Sequence, residues 1–239
     1  MKIYTLNAFT KYSEWGNPAG VVLEGKDLSN ITKQEIAKKV GASETAFVEK
    51  SDKADFKITF FTPNREVDLC GHATIATFYL MLKLNHIQIG KYTQETKAGV
   101  FNIETTKDDV IFMDQNIPEF FEIIDKTEIA DSLNIPPEII SSDLPIQIVS
   151  TELKDIFIPI KNLQNLLDIK PDFEKVTNIS RKYRVTWYHM FTLETIHNAT
   201  AHCRNLAPRY DIPEEAATGT ASGALSCYLY KHGKITAEQ

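Results

Sequence analysis

The chain has 239 residues, 43% of them apolar and 24% charged, which supports a sizeable core and excludes a largely disordered protein. Its formal charge of -6, with no stripe of Lys and Arg, excludes a phosphate-backbone binder, so no nucleic-acid partner is expected. Cys70, Cys203 and Cys227 form no CxxC pair, and neither a signal-type apolar run nor a stretch of about 18 apolar residues occurs; the sequence reads as cytoplasmic, without membrane contact.

Residues 1–9 and 20–23 predict two short strands joined by a turn holding Gly16, Asn17 and Pro18. Thr32 with Glu35 three residues on predicts a capping box, Ile36 and Val40 a sparse apolar face, and Gly41 the helix end. Glu44 then falls at a helix-to-strand junction. Residues 56–61 alternate apolar and polar, as a half-buried strand does. Residues 72–84 suit a helix with no clean polar face, which predicts a helix buried on all sides inside a curled sheet. A hairpin over 99–104 and 110–114, turning at Lys107, Asp108 and Asp109, closes a first domain, 1–114.

After Pro118 the pattern restarts and a second domain, 115–239, follows. It is predicted to hold a helix at 126–133, strands at 145–150 and 155–160, a helix at 163–167, a strand-rich stretch over 183–201 and a second nearly uncharged helix at 221–231. Setting Gly71 on Gly219 aligns Ala73 with Ala221, Thr74 with Ser222, Ala76 with Ala224 and Lys83 with Lys231. Upstream, Phe-Thr-Pro ending at Pro63 resembles Leu-Ala-Pro ending at Pro208. The shared loop, glycine and helix point to a duplication. A glycine at a helix start lets a ligand approach the backbone, whose unpaired N–H groups attract an anion. Two such starts could grip one carboxylate. No P-loop, dinucleotide fingerprint or H-E-x-x-H motif is present, so neither cofactor nor metal is expected.

Four stretches stand out: Gly16-Asn17-Pro18-Ala19-Gly20-Val21-Val22, Ser43-Glu44-Thr45-Ala46-Phe47-Val48, Asp68-Leu69-Cys70-Gly71-His72-Ala73-Thr74 and Glu214-Glu215-Ala216-Ala217-Thr218-Gly219-Thr220-Ala221. In this order they resemble the PhzF family of phenazine-biosynthesis-like isomerases, over essentially the whole chain. The resemblance implies a diaminopimelate epimerase-like α+β fold of two pseudo-symmetric domains, each a curved mixed sheet around a central buried helix, with the active site in the cleft between them. It maps the acid/base carboxylate onto Glu44, a neighbouring histidine onto His72, backbone contacts onto Gly71 and Gly219, and the family's aspartate onto Glu215; Asn17 and Thr220 join the expected substrate-binding residues. Diaminopimelate epimerases use two cysteines. One has a counterpart at Cys70, whereas Thr218 holds the other position, and its hydroxyl is too weak an acid to replace a thiolate.

The expected activity is therefore a cofactor-independent isomerase that moves a proton within a small carboxylate-bearing metabolite, with Glu44 as general acid and base. That duty calls for a carboxyl held above its usual value of about 4.3, which burial beside an apolar residue such as Phe47 would provide. Structural readings stand beside these: Glu44 as a solvated junction, His72 bonded to a carbonyl, Glu215 as first-turn helix charge, Asn17 as a turn former and Cys70 as a small buried residue. His197, His202 and Cys203 read as structural or surface residues, because a spacing of five puts the histidines on opposite sides of a strand. The chain stops at Gln239, where PhzF relatives continue with further strands; a missing sheet edge would favour pairing into a homodimer. The rivals to the isomerase are a non-catalytic small-acid-binding relative and an epimerase inverting one carbon, which needs a second base opposite Glu44.

Overall fold

A computed structural model describes residues 1–10, 15–196 and 198–236; His197 and Gln239 lie outside the described residues. The chain divides into two compact units, Met1–Asp114 and Gln115–Gln239.

The first unit is an eight-stranded sheet made of β1 (Tyr4–Ala8), β2 (Asn17–Val22), β3 (Glu44–Glu49), β4 (Phe56–Phe61), β5 (Glu66–Val67), β6 (Gly90–Thr96), β7 (Gly99–Thr105) and β8 (Ile111–Met113). Its order is β1-β2-β3-β4-β6-β7-β8, with β5 beside β4. Helix α2 (Gly71–Lys83) packs against β1, β2 and β3 and also against β7 and β8, the two ends of that order. A sheet that meets one helix with both ends is curled around it. Alternation along the strands supplies the concave face: Ala19 and Val21, Ala46 and Val48, Ile58 and Phe60 join Ala73, Ala76, Phe78 and Met81 in one core. Phe78 is fully buried there, so truncation to Ala costs about 3–5 kcal/mol.

Helix α1 (Asn30–Val40) covers the opposite face through Ile36 and Ala37, which pack with Val22, Phe47 and Phe61. Its cap is Ser29, whose hydroxyl accepts from the Thr32 N–H, so the helix starts before the Thr32–Glu35 box expected from sequence. Gly41 ends it at φ 70 and donates to the Ala37 carbonyl, the left-handed stop that glycine allows. Asn17 and Pro18 belong to β2 rather than to a turn. Pro18 is tolerated because the parallel ladder to β3 begins only at Ala19, opposite Glu44.

The second unit contains β9 (Glu119–Ile123), α3 (Lys126–Ser132), β10 (Gln147–Ser150), β11 (Lys154–Pro159), α4 (Leu163–Asp168), α5 (Phe173–Tyr183), β12 (Trp187–Thr192), β13 (His202–Ala207), β14 (Ile212–Glu215) and α6 (Gly219–Lys231). The six strands run in the order β14-β13-β12-β11-β10-β9. Ile148, Ile156, Ile158, Tyr188 and Met190 face a core shared with Ile129, Leu166 and Val176 of the three helices before α6. Val149, Phe157 and Phe191 face α6, through Ala224, Leu225, Tyr228 and Leu229. The stretch read as strand-rich from 183 to 201 is shorter in fact: Tyr183 ends α5 and β13 begins at His202. Glu214 and Glu215 lie in β14, four or more residues before the helix, so they are not first-turn helix charges. Arg204 on β13 holds Glu214 with two N–H groups, at 2.8 and 2.9 Å.

The duplication is visible in the ladders. In the first unit β1–β2 is antiparallel, β2–β3 parallel with α1 between, β3–β4 antiparallel and β4–β5 antiparallel, followed by α2. In the second, β10–β11, β11–β12, β12–β13 and β13–β14 repeat those senses, with α4 and α5 in the crossover and α6 at the end. Ala19 faces Glu44 as Asp155 faces Trp187; Ala46 faces Phe60 as His189 faces Asn205; Phe60 faces Val67 as Asn205 faces Glu215. The counterpart of Glu44 is therefore Trp187. The two central helices differ in cover: eight residues of α2 are buried and five of α6, leaving Ser222, Ser226 and Tyr230 exposed on α6.

Candidate functional site

The geometry begins with β2 and β3 lying parallel, so that their N-terminal residues come together at one edge of the first unit. Gly20 makes this approach feasible: a Cβ there would stand 2.5 Å from Thr45 Oγ1 and 3.0 Å from Val40 Cγ1. Asn17 opens β2 and Glu44 opens β3. The second residue of α2, His72, brings Nε2 to 3.4 Å from Glu44 Oε2. Ser43 Oγ lies 3.2 Å from the same nitrogen and 3.3 Å from both Asn17 Oδ1 and the Pro18 carbonyl. Cys70 Sγ lies 3.3 Å from the other ring nitrogen, Nδ1.

His72 is buried, and burial pushes its pKa below the usual imidazole value, against the opposing pull of Glu44 and the Pro18 carbonyl. The ring is thus neutral near pH 7 and carries one N–H. Oxygens crowd Nε2, so the proton sits there, leaving Nδ1 to accept from the Cys70 thiol. The Glu44 side chain is 14% exposed, enough for a small molecule to touch it. Phe47 is not its apolar neighbour: strand alternation sends Ala46 and Val48 to the α2 side with Glu44 and turns Phe47 to the α1 side, edge-on to Phe61. The group beside Glu44 is His72.

Gly71 starts α2 and Gly219 starts α6; their N-caps, Cys70 and Thr218, are both extended and neither side chain caps the helix. Both first turns therefore keep N–H groups for another acceptor. In the second unit Thr220 follows Gly219, and Glu215 is half-buried opposite Asn205. Asn205 Nδ2 donates to Thr218 Oγ1 at 2.8 Å, and His189 Nδ1 lies 3.0 Å from Asn205 Oδ1. Burial depresses His189 to about 4, so it is a fixed neutral donor through Nδ1. Gln115 bridges the Gly219 carbonyl, at 3.2 Å, and Thr151 Oγ1, at 2.7 Å.

Of the residues expected from sequence, Asn17, Glu44, Gly71 and His72 gather in the first unit; Glu215, Gly219 and Thr220 belong to the second. Sequence reasoning missed Ser43, the hydroxyl that joins Asn17 to His72, and the line from His189 through Asn205 to Thr218. The sequence carried no signal for the latter, since His189 and Asn205 meet only in the β12–β13 ladder. His202 and Cys203 open β13, and burial pushes the Cys203 thiol up to about 12. Among the described residues the one grouping of metal-type donors is Glu44, Cys70 and His72, within 4.8 Å of one another. No helix among the described residues is long and apolar enough to cross a membrane.

The family model for phenazine biosynthesis-like proteins, PhzC-PhzF, matches residues 6–239. The chain is 36% identical to the uncharacterized isomerase YfhB of Bacillus subtilis, an alignment covering 97% of this chain and 82% of that protein. It is 28% identical to a trans-2,3-dihydro-3-hydroxyanthranilate isomerase of Pseudomonas fluorescens, over 96% of this chain and 80% of the other. The crystal structure of a Bacillus anthracis phenazine biosynthesis protein of the PhzF family superimposes with a TM-score of 0.88 at 34% identity, covering 96% of this chain and 81% of that one. The fold is the diaminopimelate epimerase-like α+β architecture expected from the motifs. The chain belongs to the PhzC-PhzF family of phenazine biosynthesis-like proteins.

Proposed function

We propose that this PhzF-type isomerase moves a proton between two carbons of a small carboxylate-bearing molecule, with Glu44 as both base and acid. The contact that carries the reading is the partly exposed Glu44 carboxylate beside the neutral, buried ring of His72. In the first step a C–H bond next to a π system breaks, its proton goes to a Glu44 oxygen, and the electron pair enters the π system. In the second, Glu44 returns the proton to a carbon farther along, and the double bond has moved; atoms and electrons balance with no oxidant. His72 steadies the carboxylate as its charge changes, and Ser43 helps to hold the His72 ring. The first-turn N–H groups from Gly71 onward hold the substrate's own carboxylate, with Asn17 alongside, and the turn at Gly219 and Thr220 offers a cradle of the same kind. Glu215, at the family's acidic position, is assigned a supporting proton-handling role.

Support also comes from the Pseudomonas fluorescens relative, an isomerase of an anthranilate-type carboxylic acid. Thr218 in place of a second cysteine speaks for one-carboxyl chemistry, because its hydroxyl is engaged by Asn205 and is no thiolate. The test follows carbon-bound protons by NMR in deuterated water, using trans-2,3-dihydro-3-hydroxyanthranilate and related small acids. Isomerised product is expected, and Glu44→Gln should lower turnover by about 10²–10⁴-fold with an unchanged circular dichroism spectrum. A Glu44→Gln enzyme with near-normal turnover would falsify the assignment.

A further inference from the structure

Glu44, Cys70 and His72 offer an oxygen, a sulfur and a nitrogen from three places: the start of β3, the N-cap of α2 and its second residue. Glu44 Oε2 is 3.4 Å and Cys70 Sγ 4.0 Å from His72 Nε2, and all three donor atoms lie within 4.8 Å of one another. Zinc binds nitrogen and oxygen at about 2.0–2.1 Å and thiolate at about 2.3 Å in a tetrahedron, so its donors stand roughly 3.3–3.6 Å apart. The histidine and glutamate already have that spacing. Cys70 has to close by about half an ångström toward Nε2 and by up to about 1.3 Å toward the Glu44 oxygen, which rotations of the Cys70 and Glu44 side chains would supply.

We propose that Glu44, Cys70 and His72 form an inhibitory site for a thiophilic divalent cation of the zinc class. The donor set selects the ion: thiolate and imidazole suit zinc, whereas magnesium and calcium prefer oxygen alone. Binding uses the Nε2 lone pair of His72. The Cys70 thiol proton passes to Nδ1, 3.3 Å away, the Nε2 proton leaves to solvent, and one proton is released in total. Three protein ligands leave a fourth position for water. The site itself rests on geometry alone; that the bound ion inhibits rests on the reading of Glu44 as the base, since a ligated carboxylate cannot accept a proton from carbon.

Cobalt(II) added to the full chain is the probe, because a cobalt–thiolate bond absorbs in the near ultraviolet. One equivalent should give that band, zinc should displace it, and Cys70→Ser should abolish the band and weaken zinc binding by at least about tenfold. The double variant Cys203→Ser/Cys227→Ser must keep the band, and Glu44→Gln must weaken zinc; these readings hold even if Cys70→Ser fails to fold. No band, or a band lost in the double variant, overturns the site. Zinc should also stop turnover with the midpoint of cobalt displacement, and chelation should restore it. Cys70-dependent binding that leaves turnover untouched would keep the site and overturn Glu44 as the base.

Discussion

His189 permits a test of the second unit that needs no substrate. It is fully buried on β12, its Nδ1–H donates to Asn205, and burial holds its pKa down to about 4 from the ordinary 6.5. A depressed folded-state pKa means that the unfolded chain binds the proton more readily. The contribution to stability is therefore complete above about pH 6.5 and is lost as pH falls toward 4. With about 1.36 kcal/mol for each unit, the loss from pH 8 to pH 4.5 comes to about 2.6 kcal/mol. His189→Asn keeps a donor for Asn205 and removes the titration, but leaves a void against Phe157, whose ring centroid is 5.2 Å from the imidazole. That void costs about 2–3 kcal/mol at any pH. The variant should thus be less stable than the parent at pH 8 and nearly equal to it at pH 4.5. Urea unfolding followed by tryptophan fluorescence reads the correct unit, because Trp187 is 8% exposed while Trp15 is 71% exposed. A stability gap that stays constant between the two pH values refutes a buried neutral His189.

Asp155 should behave in the opposite sense. Burial raises its carboxyl well above the usual range, against one Trp187 backbone N–H, and Oδ1 has no partner; its contribution is present below about pH 4 and lost as pH rises. Asp155→Asn is expected to gain about 1–2 kcal/mol at pH 8 and nothing at pH 4, in the same urea assay. Gly20→Ala drives a methyl against Thr45 and Val40 and should cost about 1–3 kcal/mol, read as a lower thermal midpoint. Ser43→Ala removes the hydroxyl between Asn17 and His72; kcat should fall about 5–10-fold, the worth of one hydrogen bond, with KM nearly unchanged.

The parts of the fold that showed in the sequence are those where burial and polarity follow one period. Strand β4 alternates as far as Phe60 and spans the predicted 56–61, and the largely apolar run behind Gly71 is the helix that the sheet surrounds. Strand β6 escaped notice because its inward residues include Gln94 and Thr96, buried but polar, Gln94 donating to Thr74 Oγ1 on α2. Helix α5 was missed although Asp172 caps two N–H groups and Val176, Ile179 and Tyr183 line its inner face at helical spacing. Strand β14, Ile-Pro-Glu-Glu, mimics a helix start because two acids precede a glycine. At the site, the motif resemblance rather than residue type pointed to Glu44 and His72, whereas nothing in the sequence singles out Ser43 or Asn205, whose neighbours are set by folding.

The shared ladder separates what the two units have in common from what each does alone. Both contain a strand, a proline turn, a short strand and a glycine-started helix whose N-cap side chain makes no capping bond, so the proposed anion cradle draws on what the scaffold repeats. The proposed proton transfer draws on what is not repeated, because the duplicated positions diverge in chemistry. Glu44 answers to Trp187, His72 to Thr220 and Cys70 to Thr218, and only the first member of each pair is a carboxyl, imidazole or thiol. The second unit places its acid at Glu215, where the first has Val67. One base that takes up and returns a proton is the chemistry this asymmetry favours; inversion at a carbon needs two, and Thr218 is not a second.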